Sequence, residues 1–343
     1  MNLTEKRKEE HINQALNTSN QYVKTTGFEC VELIHNALPE LDFEEINTDV
    51  KLFGRRFSYP FYIAGMTGGY KKAGEINKRL AKIASEYNIP LGLGSQRAMV
   101  ENPDLKYTYD VKKDYSDVFL IGNIGGVQLK AYSNEKIEYL VKSIELDALA
   151  IHLNPLQEIV QPEGDKNFSG IADRIVEVKD IVDVPIIIKE VGAGISRDVA
   201  LRLKSLGINI IDVGGSGGTS WAKIEIKRGG ELTAFAEWGI PTALAILTTK
   251  DIVDVIATGG IRNGLDGAKA IALGGVMFGS AYPFLKAVFD KKESEFVEKI
   301  IHELKVAMFL TGSKDVNALR NAKYYITGWL NDALATISQN SFK

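Results

Sequence analysis

Between residues 60 and 280 one unit recurs eight times: a short apolar run, a polar or glycine-rich end, then a segment of helical periodicity. The runs are Pro60–Ala64, Leu91–Gly94, Val118–Gly122, Ala148–His152, Pro185–Lys189, Ile208–Val213, Val253–Ala257 and Gly275–Phe278. They lack the alternation of a half-exposed sheet, as parallel strands covered on both faces require. The segments between them carry one apolar side, such as Ile171, Ile175, Val178 and Val182 over 170–182. Eight such units predict an α/β fold, a (β/α)8 TIM barrel over residues 60–343 with closing C-terminal helices. Residues 1–59 read as an N-terminal extension of the same single domain. A doubly wound sheet fits less well, because no Gly-x-Gly-x-x-Gly opens the first helix.

The last three units are the most specific. Val213–Trp221, Thr258–Gly264 and Gly274–Ala281 each place glycines directly after an apolar run. Glycines there let the backbone approach a ligand and leave N–H groups free, and a barrel usually carries its phosphate site after its last strands. A net charge of −3 implies no polyanion-binding surface. The single cysteine, Cys30, excludes an internal disulfide and reads as a small core residue. The polar N-terminus lacks the apolar core of a secretion signal, and no run approaches the ~20 residues that span a bilayer. A cytoplasmic setting is the expectation.

Chemistry in such a barrel sits where strands end. The residues there are Met66, Thr67, Ser95, Gln96, Arg97, Asn123, His152, Asn154, Gln157, Glu158, Lys189, Thr219 and Arg262. They suit a phosphorylated planar cofactor: glycine-loop amides for the phosphate, Thr67, Ser95 and Asn123 for ring heteroatoms, and Lys189 as a positive charge at the ring edge. That charge matches a flavin, whose reduced form is anionic. Glu158 is a hard ligand suited to Mg²⁺, which needs only one or two carboxylates when phosphates supply the rest. His152 has two readings, a packed core imidazole or a catalytic one. Arg7 and His11 share a helical face with Lys8 beside them. They form either a solvated face or, with Arg97, a clamp for a diphosphate.

Six segments together carry a family resemblance: Arg7–His11, Met66–Gly69, Gly94–Ala98, His152–Glu158, Gly214–Trp221 and Gly259–Gly264. Across about residues 5–330 the chain resembles the type 2 isopentenyl-diphosphate isomerases. The resemblance implies an FMN- and Mg²⁺-dependent barrel that interconverts isopentenyl and dimethylallyl diphosphate, with NAD(P)H as flavin reductant. It implies FMN contacts at Met66, Thr67, Ser95, Asn123, Lys189, Thr219, Gly260, Arg262, Ser280 and Ala281. Substrate positions would be Arg7, Lys8, His11, Ser95, Gln96, Arg97, His152, Asn154 and Gln157, with Glu158 as the metal ligand. Gln157, Lys189 and His152 would carry catalysis. A homo-oligomer, tetrameric or larger, is expected. The alternative is an FMN-dependent 2-hydroxy-acid oxidase or dehydrogenase of the same fold. Those enzymes place a catalytic histidine after the sixth strand, where this chain has Ser216 and Thr219.

Overall fold

The computed structural model describes residues 3–340 and, among these, the side chains of residues 8–337. Eight strands close a parallel barrel in chain order: Phe61–Ile63, Leu91–Gly92, Leu120–Gly125, Ala148–Leu153, Ile186–Glu190, Ile210–Asp212, Asp254–Ala257 and Met277–Ser280. The last strand pairs with the first through Phe278 and Phe61. Each lies within or beside the apolar run expected for it. Helix Ile171–Ile181 falls where periodicity placed it, over 170–182, and Lys71–Glu86 and Gly264–Ala272 likewise lie between strands, whereas the short helices Gly126–Ala131, Pro155–Val160 and Trp221–Lys227 had no periodic signal.

The barrel divides its apolar residues between two cores. Leu149, Ile151, Ile186, Ile188 and Ile211 pack outward against the helices. Tyr62, Ile121, Ala148, Ala150, Ile187, Ile210, Ile256 and Met277 fill the interior. The period of two is therefore real in space although both faces are apolar. Continuing each inward stripe by two residues reaches the mouth. Ile121 leads to Asn123, Ala150 to His152, Ile187 to Lys189, Ile210 to Asp212 and Ile256 to Thr258. A strand that is apolar along the barrel axis thus delivers one polar side chain at its C-terminal end.

The extension does more than precede the barrel. Val50–Leu52 and Arg55–Phe57 form an antiparallel hairpin across the barrel bottom. Its two-residue turn has positive φ at Phe53 and Gly54, the geometry that matches strand twist. Phe53 stacks on Phe119 at 5.4 Å, and Phe57 meets the same ring edge-on at 5.2 Å. Val31–Leu33 pairs antiparallel with Tyr324–Ile326, tying the extension to the C-terminal helices. Neither pairing was expected from sequence, since each strand has three residues and no usable periodicity.

Candidate active site

The loops after strands six and seven meet at the mouth. A Cβ on Gly218 would stand 2.6 Å from the Gly260 nitrogen, so only glycine lets these two backbones approach. Gly260 itself has φ of +75°. Ser280 turns its hydroxyl onto Ile261 O at 2.7 Å, pinning the same region. Beside it begins helix Tyr282–Asp290, with Ser280, Ala281 and Tyr282 lining the cavity. Free backbone amides and a helix N-terminus make this corner suited to a phosphate. Gln21 braces it from the extension: its amide donates to Thr219 Oγ1 at 3.1 Å, and its oxygen accepts from the Arg262 guanidinium. Below, the carboxylate of Asp212 accepts from the Tyr62 and Thr258 hydroxyls and from the Gly214 amide. Neither Gln21 nor Asp212 was singled out from sequence; Asp212 could have been, as the polar end of an inward stripe.

Met66, Thr67, Ser95, Asn123, Lys189, Thr219, Gly260, Arg262, Ser280 and Ala281 all line one cavity. The Thr67 hydroxyl is buried in the cavity wall, next to the Tyr70 hydroxyl. A hydroxyl can both donate and accept, so its position in the cavity wall fits a ligand with ring heteroatoms. Lys189 donates from Nζ to Glu190 O at 2.7 Å.

His152 is oriented by a chain of amides. Asn123 donates from Nδ2 to Leu93 O at 3.0 Å, which leaves its Oδ1 as the acceptor 2.7 Å from His152 Nδ1. His152 therefore carries its proton on Nδ1 and presents Nε2 as a lone pair. Burial, Lys189 and Lys8 pull its pKa from 6.5 to about 3, so the ring is neutral. The core and site readings of His152 merge: it is bonded into the barrel wall and also lines the cavity.

Gln157 is fixed at both ends. Its Nε2 donates to Glu225 Oε1 at 3.0 Å and its Oε1 accepts from Asn154 at 3.2 Å. Glu225 is fully buried, beneath His11 Nε2 at 3.0 Å and ion-paired with Arg228 at 2.5 Å. Burial works against its charge, but bonds from His11, Gln157 and Arg228 hold its carboxyl below the ordinary range. Glu158 also lines the cavity, with one oxygen accepting from Asn154 and the other from the Asp165 amide. Among the described residues no cluster of three metal-ligating side chains forms, so a cation here would need phosphate oxygens as well.

The sequence reading needs one correction. Gln96 does not face the cavity: it is fully buried in the wall, where its Oε1 accepts the Asn123 amide at 2.8 Å. Two further carboxylates belong to the mouth: Glu190 lines it and Glu225 backs Gln157. Both were missed because nothing in a linear pattern says which way a glutamate turns. The N-terminal helix, Leu3–Ala15, needs an apolar anchor to dock on the barrel. Ile12 supplies one at 5% exposure, while Lys8 bonds Ser95 O at 2.7 Å and the Tyr109 hydroxyl at 2.8 Å. Lys8, His11 and Arg97 line the cavity. The side chain of Arg7 lies outside the described residues.

Comparison with known proteins agrees with this geometry. The model of the FMN-dependent dehydrogenase family matches residues 150–325. The isopentenyl-diphosphate delta-isomerase of Thermococcus kodakarensis is 46% identical, covering 97% of this chain and 94% of its own. That of Pyrococcus abyssi is 44% identical, covering 98% and 96%. That of Methanocaldococcus jannaschii is 43% identical, covering 96% and 97%. Among solved structures, a flavocytochrome b2 variant with sulfite bound superposes with a TM-score of 0.67 at 17% identity, over 91% of this chain and 82% of that one. A mandelate oxidase variant with (S)-mandelic acid gives 0.63 at 16%, over 94% and 98%. At such identities these two speak for the barrel alone.

Proposed function

The chain belongs to the isopentenyl-diphosphate delta-isomerases, in their FMN-dependent form, and we propose that its barrel mouth moves the double bond of isopentenyl diphosphate to give dimethylallyl diphosphate. The observation that carries this reading is the joining of two half-sites in one cavity: a glycine phosphate corner with Lys189, and the Asn154–Gln157–Glu158 cluster under the N-terminal helix. An oxidase of hydroxy acids would need only the first.

Met66, Thr67, Ser95, Asn123, Thr219, Gly260, Arg262, Ser280 and Ala281 would hold FMN, with Lys189 at the ring edge. When bound and reduced, FMN supplies an acid–base centre at N5, electron-rich because the ring is anionic. The protein's own part is positioning. Lys189 would place its ammonium beside the ring. Gln157 cannot ionise in the accessible range, but Glu225 and Asn154 lock its amide, leaving one N–H and one lone pair to orient or relay a proton. His152 presents a lone pair, so it can donate to a diphosphate oxygen only after taking up a proton. An arriving anion favours that uptake and opposes the neighbouring lysines. Arg7, Lys8, His11 and Arg97 would neutralise the diphosphate, and Asn154 would add an amide donor.

The metal site fits. Glu158 is a carboxylate in the cavity wall whose two oxygens each accept a single bond, leaving lone pairs free for Mg²⁺ shared with the diphosphate. NAD(P)H as flavin reductant, a cytoplasmic setting and a homo-oligomer complete the proposal. Exposed Ile34, Leu310, Tyr325 and Trp329 around the paired strands at the two chain ends support assembly through the C-terminal helices. No helix among the described residues is long and apolar enough to cross a membrane.

The test is direct. Purified protein should show a flavin absorbance band. After anaerobic reduction it should convert isopentenyl diphosphate with no net consumption of NADPH. Stoichiometric oxidation of a 2-hydroxy acid without isomerisation would transfer the chain to the oxidase reading.

A further inference from the structure

Glu190 is a buried carboxylate at the mouth to which the reaction above gives no part. It closes strand Ile186–Glu190, and it is 5% exposed. One oxygen, Oε2, accepts four successive backbone amides: Val191 at 2.6 Å, Gly192 at 2.6 Å, Ala193 closer still, and Gly194 at 3.2 Å. A carboxyl oxygen shared by consecutive amides fixes the backbone that supplies them.

Two parts of the flavin half-site lean on this turn. The carbonyl of Glu190 accepts the Lys189 ammonium at 2.7 Å. The turn also backs onto the phosphate loop. Gly194 donates to Gly214 O at 3.0 Å, and a Cβ on Gly192 would stand 3.1 Å from Thr219 O. A Cβ on Gly214 would stand 2.1 Å from Glu190 O, so the two backbones are in contact at the point where the ammonium is anchored. Lysine is a flexible stem carrying a point charge, and without a fixed acceptor its head moves toward water.

We propose that Glu190 is a positioning residue: by clamping the 191–194 turn it holds the carbonyl that anchors Lys189, and so sets how strongly the site favours the anionic form of the reduced flavin ring. The inference rests on the reading above that places the ring edge beside Lys189. Glu190 touches neither ring nor substrate; it acts through Lys189.

The experiment uses the FMN-loaded full-length protein, reduced anaerobically and titrated by absorbance from about pH 5 to about pH 9. The midpoint between neutral and anionic reduced flavin is read for wild type, Glu190→Gln, Glu190→Asp, Lys189→Ala and the double variant Glu190→Gln with Lys189→Ala. Lys189→Ala raises the midpoint. Glu190→Gln raises it by about one pH unit, with kcat falling further than KM rises. Glu190→Asp, which keeps the carboxyl group with a shorter reach, gives a smaller rise and carries the test if the amide variant does not fold. In the Lys189→Ala background the Glu190→Gln shift disappears. A midpoint that moves in Lys189→Ala but stays in place in both Glu190 variants overturns the inference and leaves the ring-edge reading intact. So does a Glu190→Gln shift that persists without Lys189. A midpoint unmoved by Lys189→Ala overturns the ring-edge reading and the inference together.

Discussion

At the bottom of the barrel Phe53, Phe57 and Phe119 close the interior with stacked and edge-on rings. At the mouth, further along the same inward stripes, stand Asn123, His152, Lys189 and Asp212, each held by a hydrogen bond. The N-terminal extension serves both ends, with the 50–57 hairpin below and the Leu3–Ala15 helix and Gln21 above. The bottom is held by burial, which is non-directional and tolerant of chemistry but not of volume. The mouth is held by directional bonds between buried polar groups, which tolerate little change of donor or acceptor. Stability and function are thus separated along the barrel axis, and substitutions at the two ends should fail in different ways.

The separation is tested hardest at the bottom. Phe57 is fully buried, and Phe57→Ala leaves a cavity costing about 3–5 kcal/mol. The urea midpoint should fall accordingly, while kcat per folded, flavin-loaded molecule stays near wild type. A large loss of kcat with an unchanged midpoint would mean the two ends are coupled.

Lys189→Ala inverts that pattern. Removing the fixed charge opposite the reduced ring should cut kcat/KM by a factor on the order of 10² to 10³ and weaken FMN binding, with little change in the urea midpoint. Retained turnover at equal FMN occupancy would remove Lys189 from the mechanism.

Glu158→Gln should act more narrowly still. An amide is a poor ligand for a hard cation, so the Mg²⁺ concentration at half-maximal rate should rise by about tenfold, with FMN affinity unchanged. An unaltered magnesium titration would place the metal on other groups.

How much of this was legible in the chain follows the same axis. The eight strands and the glycine corner could be read because burial and close backbone approach impose local patterns, as in Pro185–Lys189 and Gly214–Thr219. The 50–57 hairpin was not legible, because its strands have three residues each and its turn puts Phe53, not a glycine or asparagine, at positive φ. At the mouth the expected residues whose side chains are described line one cavity, with Gln96 the exception. Gln96 sits next to Ser95 and Arg97 in the same motif, and only the local backbone decides that it turns into the wall. Glu225 lies 68 positions from Gln157 and Gln21 lies 198 from Thr219, so these pairings depend on closure of the whole barrel.

The smallest expected effect is on the pH dependence of stability, where two mouth residues oppose each other. Burial, Lys189 and Lys8 depress His152 from 6.5 to about 3. Its contribution is complete above pH 6.5 and is lost as pH falls towards 3, because the unfolded chain takes up a proton that the folded one refuses. Glu190 runs the other way. Burial outweighs the amide bonds from Ala193, Gly192 and Val191 and the charge of Lys189, pushing its pKa from 4.5 to about 7. As pH rises from 4.5 to 7 the unfolded chain releases a proton that the folded one keeps, so stability falls across that window. Between pH 4.5 and 6.5 the two slopes offset each other, and below 4.5 only the histidine slope remains. Urea unfolding of the wild type should therefore vary little from about pH 5 to about pH 6.5 as far as these two groups contribute, then weaken on further acidification. His152→Asn should remove part of that acid-side loss and uncover a decline towards pH 7. Glu190→Gln should remove the decline and leave stability rising from the acid side up to pH 6.5. Identical pH profiles for wild type and both variants would mean that neither group changes its proton affinity on folding, and that the mouth is as indifferent to pH as the bottom.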